Sequence, residues 1–416
     1  MTKIIPFHGI RPTRDKAHLV ASRAVDRYTR NEILDKLKTN PFTFLHIIQP
    51  DFRDGKKTRP GSAERLQKVK KSYGEFIEEG ILVRDEEKSY YLYKQEKDGF
   101  EYLGIIAAIS IDEYLEGRIK IHEATLTQRE EKLREYLKVC DYNAEPVLFF
   151  YTEDAGLKEI KKKISGEEPE YFFSTSDAVR HSLWKISDSV QVEAIQKCFE
   201  KMPCVYIADG HHRSASSALL GKEMREKNPG YTGSEGWNYY MGVFFPNDNL
   251  NILPFHRLVK SDGTVSLTDV LERISKHFEI KETGNAFALP GTKGEIHLFH
   301  KGKGYALRAK IRETAGGPVS WLDAEILNRY ILEPCFGIKD LKNDPTIEFI
   351  PGTKTLKQLK GLSKEGNGNF LFLLYPSSID EIKAIADAGE IMPPKTTWVE
   401  PKMRNGLVIY SLSDHS

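Results

Sequence analysis

Cys204-Val205-Tyr206-Ile207-Ala208-Asp209-Gly210-His211-His212-Arg213-Ser214 carries a short apolar strand straight into five ionisable or flexible residues. The residues that follow, Ala215-Ser216-Ser217-Ala218-Leu219-Leu220, are small or good helix formers, so a helix is expected to begin at or just after His212. A strand that ends in glycine and opens a helix presents the backbone N–H groups of the first helical turn to an anion. Gly210 allows the backbone to come close, Arg213 supplies a planar fork of donors that matches phosphate oxygens, and His211, His212 and Ser214 add further donors. Asp209 would repel a bare phosphate. Its expected use is to hold a metal ion that bridges phosphate oxygens, Mg2+ in the first instance, or to orient a histidine. Within this loop Asp209 and His211 are the candidates for catalysis.

Two plainer readings compete. Asp209-Gly210 alone suits a surface turn, but that leaves His211-His212-Arg213 without an account. A structural zinc site is the other, yet adjacent helical residues diverge by about 100° and the usual ligand spacings are missing.

A chain of 416 residues is long for one core, and two or three lobes are expected. A hydrophobic fraction of 40% with 29% charged residues is the composition of a soluble globular enzyme. Lys+Arg 61 against Asp+Glu 60 leaves a net charge of +1, so no overall field attracts nucleic acid. The local runs around Lys68, Lys70 and Lys71 and at Lys161-Lys162-Lys163 lie among helical positions near glutamates and read as solvated helix faces. Cys140, Cys198, Cys204 and Cys335 show no metal-ligand spacing and suit unbridged thiols in a reducing compartment. Met1-Thr2-Lys3-Ile4-Ile5-Pro6-Phe7-His8 lacks the features of a signal peptide, and no run approaches the roughly 18 to 20 apolar residues needed to cross a bilayer. A soluble, cytoplasmic protein is expected.

Val147 to Tyr151, Leu183 to Ile186 and Tyr239 to Phe245 read as strands, and Ala155 to Ile164 and Ser189 to Met202 as helices. Tyr90 to Tyr93 and Tyr102 to Ile111 form a predicted hairpin about the Asp98-Gly99 turn. Phe42 to Pro50 is also expected to be a strand, followed by a basic loop from Phe52 to Gly61. The alternation predicts a mixed α/β fold. Pattern shifts suggest lobes at 1–120, 121–260 and 261–416, the middle one carrying the phosphate loop and the last sending its tail back to the core.

Asp-Gly-His-His-Arg at 209–213 resembles the G-x-x-R signature of the ParB/sulfiredoxin superfamily, and its free-serine-kinase branch in particular. Other blocks are Gly9-Ile10-Arg11-Pro12, His122-Glu123-Ala124-Thr125, Arg180-His181-Ser182-Leu183-Trp184, Pro254-Phe255-His256-Arg257, Met392-Pro393-Pro394-Lys395-Thr396 and Glu400-Pro401-Lys402. Together they are similar to the family called domain of unknown function 1015, over nearly the full length. The resemblance implies a ParB/sulfiredoxin-like mixed-sheet core with additional α/β lobes, and ATP or ADP as a ligand, since both donors occur in the superfamily.

A kinase for a small alcohol needs a cradle for phosphates, a metal to spread their charge and a carboxylate to take the hydroxyl proton. Glu123, beside His122 and ahead of a charged helix, is the expected base, with helix capping near Thr127 as its structural alternative. Arg11, Arg180 and His181 are candidates for a substrate carboxylate, and Asp26 for an ammonium group, although Ser22-Arg23-Ala24-Val25-Asp26 departs from the Pro-Tyr-Asp of many relatives. Lys395 and Lys402 are placed to return the C-terminal segment over the pocket. Sulfiredoxin chemistry is excluded because His211 stands where its cysteine would be. A ParB-type DNA clamp would need a helix-turn-helix reader and a basic stripe, and neither is evident. The expected function is a nucleotide-dependent kinase of a small hydroxylated metabolite, free L-serine being the specific choice. A phosphoserine-type phosphatase and a nucleotide-binding module without kinase activity are the alternatives.

Overall fold

The aromatic and β-branched runs of the first 250 residues form the strands of a mixed α/β unit, seen in a computed structural model that describes residues 1–416 apart from 262, 285, 311–315, 363, 365–367 and 414–416. Its strands are β1 (Ile4–Ile5), β2 (Tyr90–Lys97), β3 (Phe100–Ser110), β4 (Ile119–Lys120), β5 (Val147–Tyr151), β6 (Tyr171–Ser174), β7 (Arg180–Ile186), β8 (Val205–Asp209) and β9 (Tyr239–Pro246). Their spatial order is β4-β8-β5-β9-β3-β2-β7-β6, with β1 added against β3. β8 runs parallel to β4 and antiparallel to β5, and β5 runs parallel to β9. The β2–β3 hairpin turns at Asp98 and Gly99, both at positive φ, as an Asp-Gly turn requires.

β5 and β9 are buried along their whole length, the signature of central strands covered on both faces. One cover is the helix His211–Lys227, which packs on the helices Thr127–Cys140 and Ile111–Leu115. Its buried positions are His211, Ser214, Ala215, Ser216, Ser217, Ala218, Leu220 and Gly221, six of them small, so the helix axis comes close to its neighbours. A Cβ on Gly221 would come within 2.2 Å of Ile111 Cδ1, which is the measure of that approach.

The second unit comprises 121–124 and 251–400, while 401–416 belongs with the first. Its strands are β10 (Asn251–Val259), β11 (Phe278–Gly284), β12 (Glu295–His300), β13 (Lys303–Ala309), β14 (Ile347–Pro351), β15 (Phe370–Leu373) and β16 (Thr397–Glu400). They pair as β11-β13-β12-β15-β10-β14, with β16 also on β10, antiparallel throughout. Ile274, Leu298, Leu307, Leu327 and Phe372 centre its core. These units do not follow linear cuts near 120 and 260. Strands on both sides of residue 120 share one sheet, so β3 pairs with β9 across a long stretch of chain.

One expected strand is a helix. Leu45–Ile48 forms a helical turn, and Thr43 through Ile47 are all buried with no alternation. Asn40 decides it: its side chain accepts from Phe42 N–H and its carbonyl bonds Thr43 N–H and the His46 ring, winding the chain before a strand can start. The loop expected after it also begins with a helical turn, Asp51–Asp54. Among the described residues the four cysteines are unbridged, and no helix is long and apolar enough to cross a membrane.

Gly242 in β9 backs onto the stacked rings of Phe149 and Phe244, whose centroids are 4.9 Å apart. A Cβ there would meet Phe149 Cε2 at 2.7 Å and Phe244 Cζ at 2.9 Å. Ala normally improves on Gly in a strand, but here overpacking decides the sign. Gly242→Ala is expected to lower stability by about 1–3 kcal/mol in urea unfolding, and a gain would refute this packing argument.

Candidate active site

β8 delivers the loop. Its pairing with β5 slips between Ile207 and Asp209, so Ala208 is an extra residue that bends the strand end and re-aims Asp209. Gly210 follows at φ +104, a conformation that L side chains rarely adopt, and its missing Cβ leaves room for the Arg213 guanidinium at 2.8 Å. The helix begins at His211, one residue earlier than expected, and its first intrahelical bond is Ser214 N–H to the Gly210 carbonyl. The N–H groups ahead of that bond therefore point out of the helix, at the positive end of its dipole.

Asp209 is held by cations. Lys402 Nζ lies 2.7 Å from its Oδ2 and Arg213 Nη2 3.7 Å from its Oδ1. Burial alone would raise its pKa, yet the charges of Lys402, Arg213 and Arg27 hold the carboxyl far below the usual range. Arg213 also pairs with Glu145 at 2.5 Å and donates to the Pro146 carbonyl at 2.9 Å. The oxygens that would ligate a metal thus face an ammonium and a guanidinium, and Asp209 by itself does not make a resident Mg2+ site. Burial pushes His211 down to about 3, against the pull of Asp209, so its ring is neutral at physiological pH. His212 accepts from Leu126 N–H at 3.5 Å. Ser214 turns away from the loop: fully buried, its hydroxyl meets that of Tyr240 at 2.5 Å.

Arg11, Arg180 and Asp26 each have a separate setting in the first unit. Arg11 is buried, its Nε and Nη2 on Asp85 at 2.8–2.9 Å and its Nη1 on Glu170 and the Tyr171 hydroxyl. Asp85 also accepts from the Tyr91 hydroxyl, so this is a structural network whose donors are spent. Arg180 is exposed and paired with Glu96 at 2.5 Å. Asp26 sits on a helical turn with 77% of its side chain exposed and Arg27 3.9 Å away. Glu123 is half-buried and groups with the second unit, where the backbone carbonyl of His122 accepts from Met392 N–H. Lys395, in that same unit, stands over the Phe255 ring. Arg257, there too, is fully buried on Phe349, and among the described residues only the Phe255 and Pro394 carbonyls accept from it.

His181 is buried between the Tyr93 hydroxyl at 2.8 Å and Thr175 at 3.2 Å. Thr175 in turn bonds Asp177, which takes Arg404 at 2.8 and 2.9 Å. Sequence reasoning missed Arg404, Asp177, Glu145 and Arg27. Only Lys402 had a signal, in Glu400-Pro401-Lys402.

Burial, reinforced by the nearby charge of Arg404, lowers His181 to about 3. In the unfolded chain a histidine protonates near pH 6.5. Between these values the unfolded state binds the extra proton, so stability falls as pH drops from about 6.5 towards 3, by up to about 1.4 kcal/mol per pH unit for each such histidine. His181→Asn is expected to flatten the fall in Tm between pH 6.5 and 4.5. An unchanged slope in thermal melts would contradict a neutral buried His181.

Comparison with known proteins gives one family. The profile described as "Protein of unknown function (DUF1015)" matches residues 4–325. No curated protein matches the chain. Among solved structures, a C-terminally truncated SbnI from Staphylococcus aureus is 14% identical at a TM-score of 0.39, covering 73% of this chain and 85% of that one. A free serine kinase mutant in complex with ADP is 16% identical at 0.37, covering 73% and 91%. A conserved hypothetical protein from Pyrococcus furiosus is 15% identical at 0.34, covering 75% and 97%. At such scores the likenesses carry no argument about chemistry, which rests on the residues.

Proposed function

We propose that this chain, which belongs to the DUF1015 family, is a nucleotide-dependent phosphotransferase acting on a small hydroxylated metabolite, with free L-serine to O-phosphoserine as the specific reaction. The observation that carries the reading is the head of the His211–Lys227 helix, where Lys402, Arg213 and Arg27 act on the single carboxylate of Asp209 beside a glycine at φ +104. Lys402, Arg213 and Arg27 stand against Asp209, Glu145 and the exposed Asp26 beside Arg27, so the side-chain charges balance and the helix dipole supplies the positive field. That field suits the phosphates of ATP or ADP. The neutral His211 ring donates a hydrogen bond without adding charge, and His212 offers its own.

In this reading Mg2+ arrives with the nucleotide, as the counter-ion of its phosphates, rather than residing on Asp209. The acceptor hydroxyl oxygen attacks the terminal phosphorus, the bond to the leaving nucleotide oxygen breaks, and the hydroxyl proton passes to a carboxylate, for which Glu123 is proposed. Asp209, held ionised, keeps Lys402 and Arg213 aimed at the developing charge. Orientation of this kind lowers the barrier without reorganisation at the moment of reaction.

Arg213→Ala removes a charge-assisted contact worth roughly 1.5–3 kcal/mol and is expected to weaken nucleotide binding by one to two decades in calorimetry. Unchanged affinity would refute the phosphate site. Glu123→Gln is expected to keep nucleotide affinity and the melting curve while lowering turnover by about 10² to 10⁴. Incubation with L-serine, Mg2+ and either nucleotide, followed by phosphorus NMR, tests the reaction itself. If phosphoserine is hydrolysed without nucleotide and never formed, a phosphatase replaces this reading.

A further inference from the structure

A cavity of about 150 Å3 lies in the first unit, between the segment from His18 to Thr43 and the turn Ser174 to Asp177, with Arg404 in its wall. By volume it holds about five water molecules, enough for a small metabolite and too little for a nucleotide. Its lining is polar and unbalanced in charge: Arg23, Lys36 and Arg404 face it with one carboxylate, Asp177. Asp177 is already engaged by Arg404 and Thr175. Arg23 lies 4.1 Å over the Tyr28 ring, and its ion pair to Glu32 is at an exposed edge, where such pairs contribute little. Lys36 stands 5.8 Å over the same ring and pairs with no carboxylate among the described residues. Arg404 is 93% buried by its 7% exposure, and its Nε has no acceptor among the described residues. An excess of cations over carboxylates around a polar cavity suits an anionic group.

Two segments join this cavity to the phosphate loop. Lys402, which grips Asp209, is two residues from Arg404, at most about 7 Å along the chain. Tyr28, which lines the cavity, follows Arg27, whose charge acts on Asp209.

We infer that this cavity is the acceptor pocket and that it binds a small amino acid bearing a hydroxyl, its carboxylate on Arg23 and Lys36 and its ammonium towards Asp177. The assignment rests on the phosphotransferase reading for the hydroxyl's fate, but not for the binding itself. It replaces Arg11, Arg180 and Asp26 as substrate contacts, and makes His181, behind Thr175, a positioning residue.

The test uses the full chain, with L-serine and L-glycerate as probes and each nucleotide alongside. Arg23→Gln and Lys36→Met are expected each to weaken L-serine binding about tenfold or more while nucleotide affinity stays within about twofold, since each removes one charge-assisted contact. L-glycerate, which keeps the carboxylate, the terminal hydroxyl and the configuration and lacks the ammonium, should bind more weakly than L-serine, and Asp177→Asn should erase that difference. If one variant misfolds by circular dichroism, the other still decides. Should the wild type bind nucleotide but neither probe, or should both variants bind L-serine normally, the pocket assignment is overturned and the phosphotransferase reading survives. Should nucleotide fail to bind while L-serine binding depends on Arg23 and Lys36, the pocket stands and the phosphotransferase reading falls.

Discussion

The ion pair between Lys402 and Asp209 spans 193 positions of sequence and sets the geometry around the loop. Asp209 sits one residue beyond a bulge, at a helix start that favours negative charge, and Lys402 and Arg213 meet its two oxygens. With Lys402 fixed there, the next residues of the tail are placed in turn. Arg404 reaches Asp177, and Asn405 exchanges backbone hydrogen bonds with Ser22. Farther on, Ile409 does the same with Ile10, so the tail is sewn to the N-terminal segment by main-chain bonds as well as by charge. The tail, the N-terminal turn and the phosphate loop therefore share one electrostatic knot.

A guanidinium can serve a ligand only with donors that the fold has not consumed. Arg11 fails that criterion: Asp85, Glu170 and Tyr171 take its fork, and the network anchors the strand Ile10–Pro12. Arg180 fails it too, being closed on Glu96 at the surface. Arg404 has its Nη2 committed to Asp177 and Thr175, while its Nε is buried without an acceptor among the described residues. Lys36, held among the described residues by the Tyr28 ring alone, passes outright. The same accounting removes Ser214, whose hydroxyl serves the contact with Tyr240 that seats the helix on β9.

The mixed α/β class was legible because apolar and aromatic runs alternate with amphipathic helices in the middle of the chain, and Val147–Tyr151 matches its predicted range end to end. The strand-to-helix turn at Asp209-Gly210 was legible because an apolar strand, a glycine and a run of helix formers are local signals. What failed was decided elsewhere in the chain. The stretch Phe42 to Pro50 has strand composition, but the Asn40 turn ahead of it winds it into a helix. Asp209 reads as a metal ligand until Lys402, far off in sequence, is seen on its oxygen. Arg404 and Asp177 are ordinary surface residues by sequence, and only folding buries Arg404 and joins them.

An acidic residue next to the glycine of a phosphate loop is a puzzle when the loop is considered alone. It stops being one when the cations are counted. Long side chains such as Lys402 and Arg213 carry rotamer entropy of up to about 2 kcal/mol each, which a ligand would otherwise have to overcome on binding. Asp209 and Glu145 order them in advance, at the expense of some net positive charge. In the proposed reaction the loss of charge weakens ground-state attraction for phosphate, while the fixed donors remain for the charge that develops on transfer. Preorganisation of that kind favours the transition state over simple binding. It also requires Asp209 to stay ionised, which its strongly lowered proton affinity secures across the physiological range.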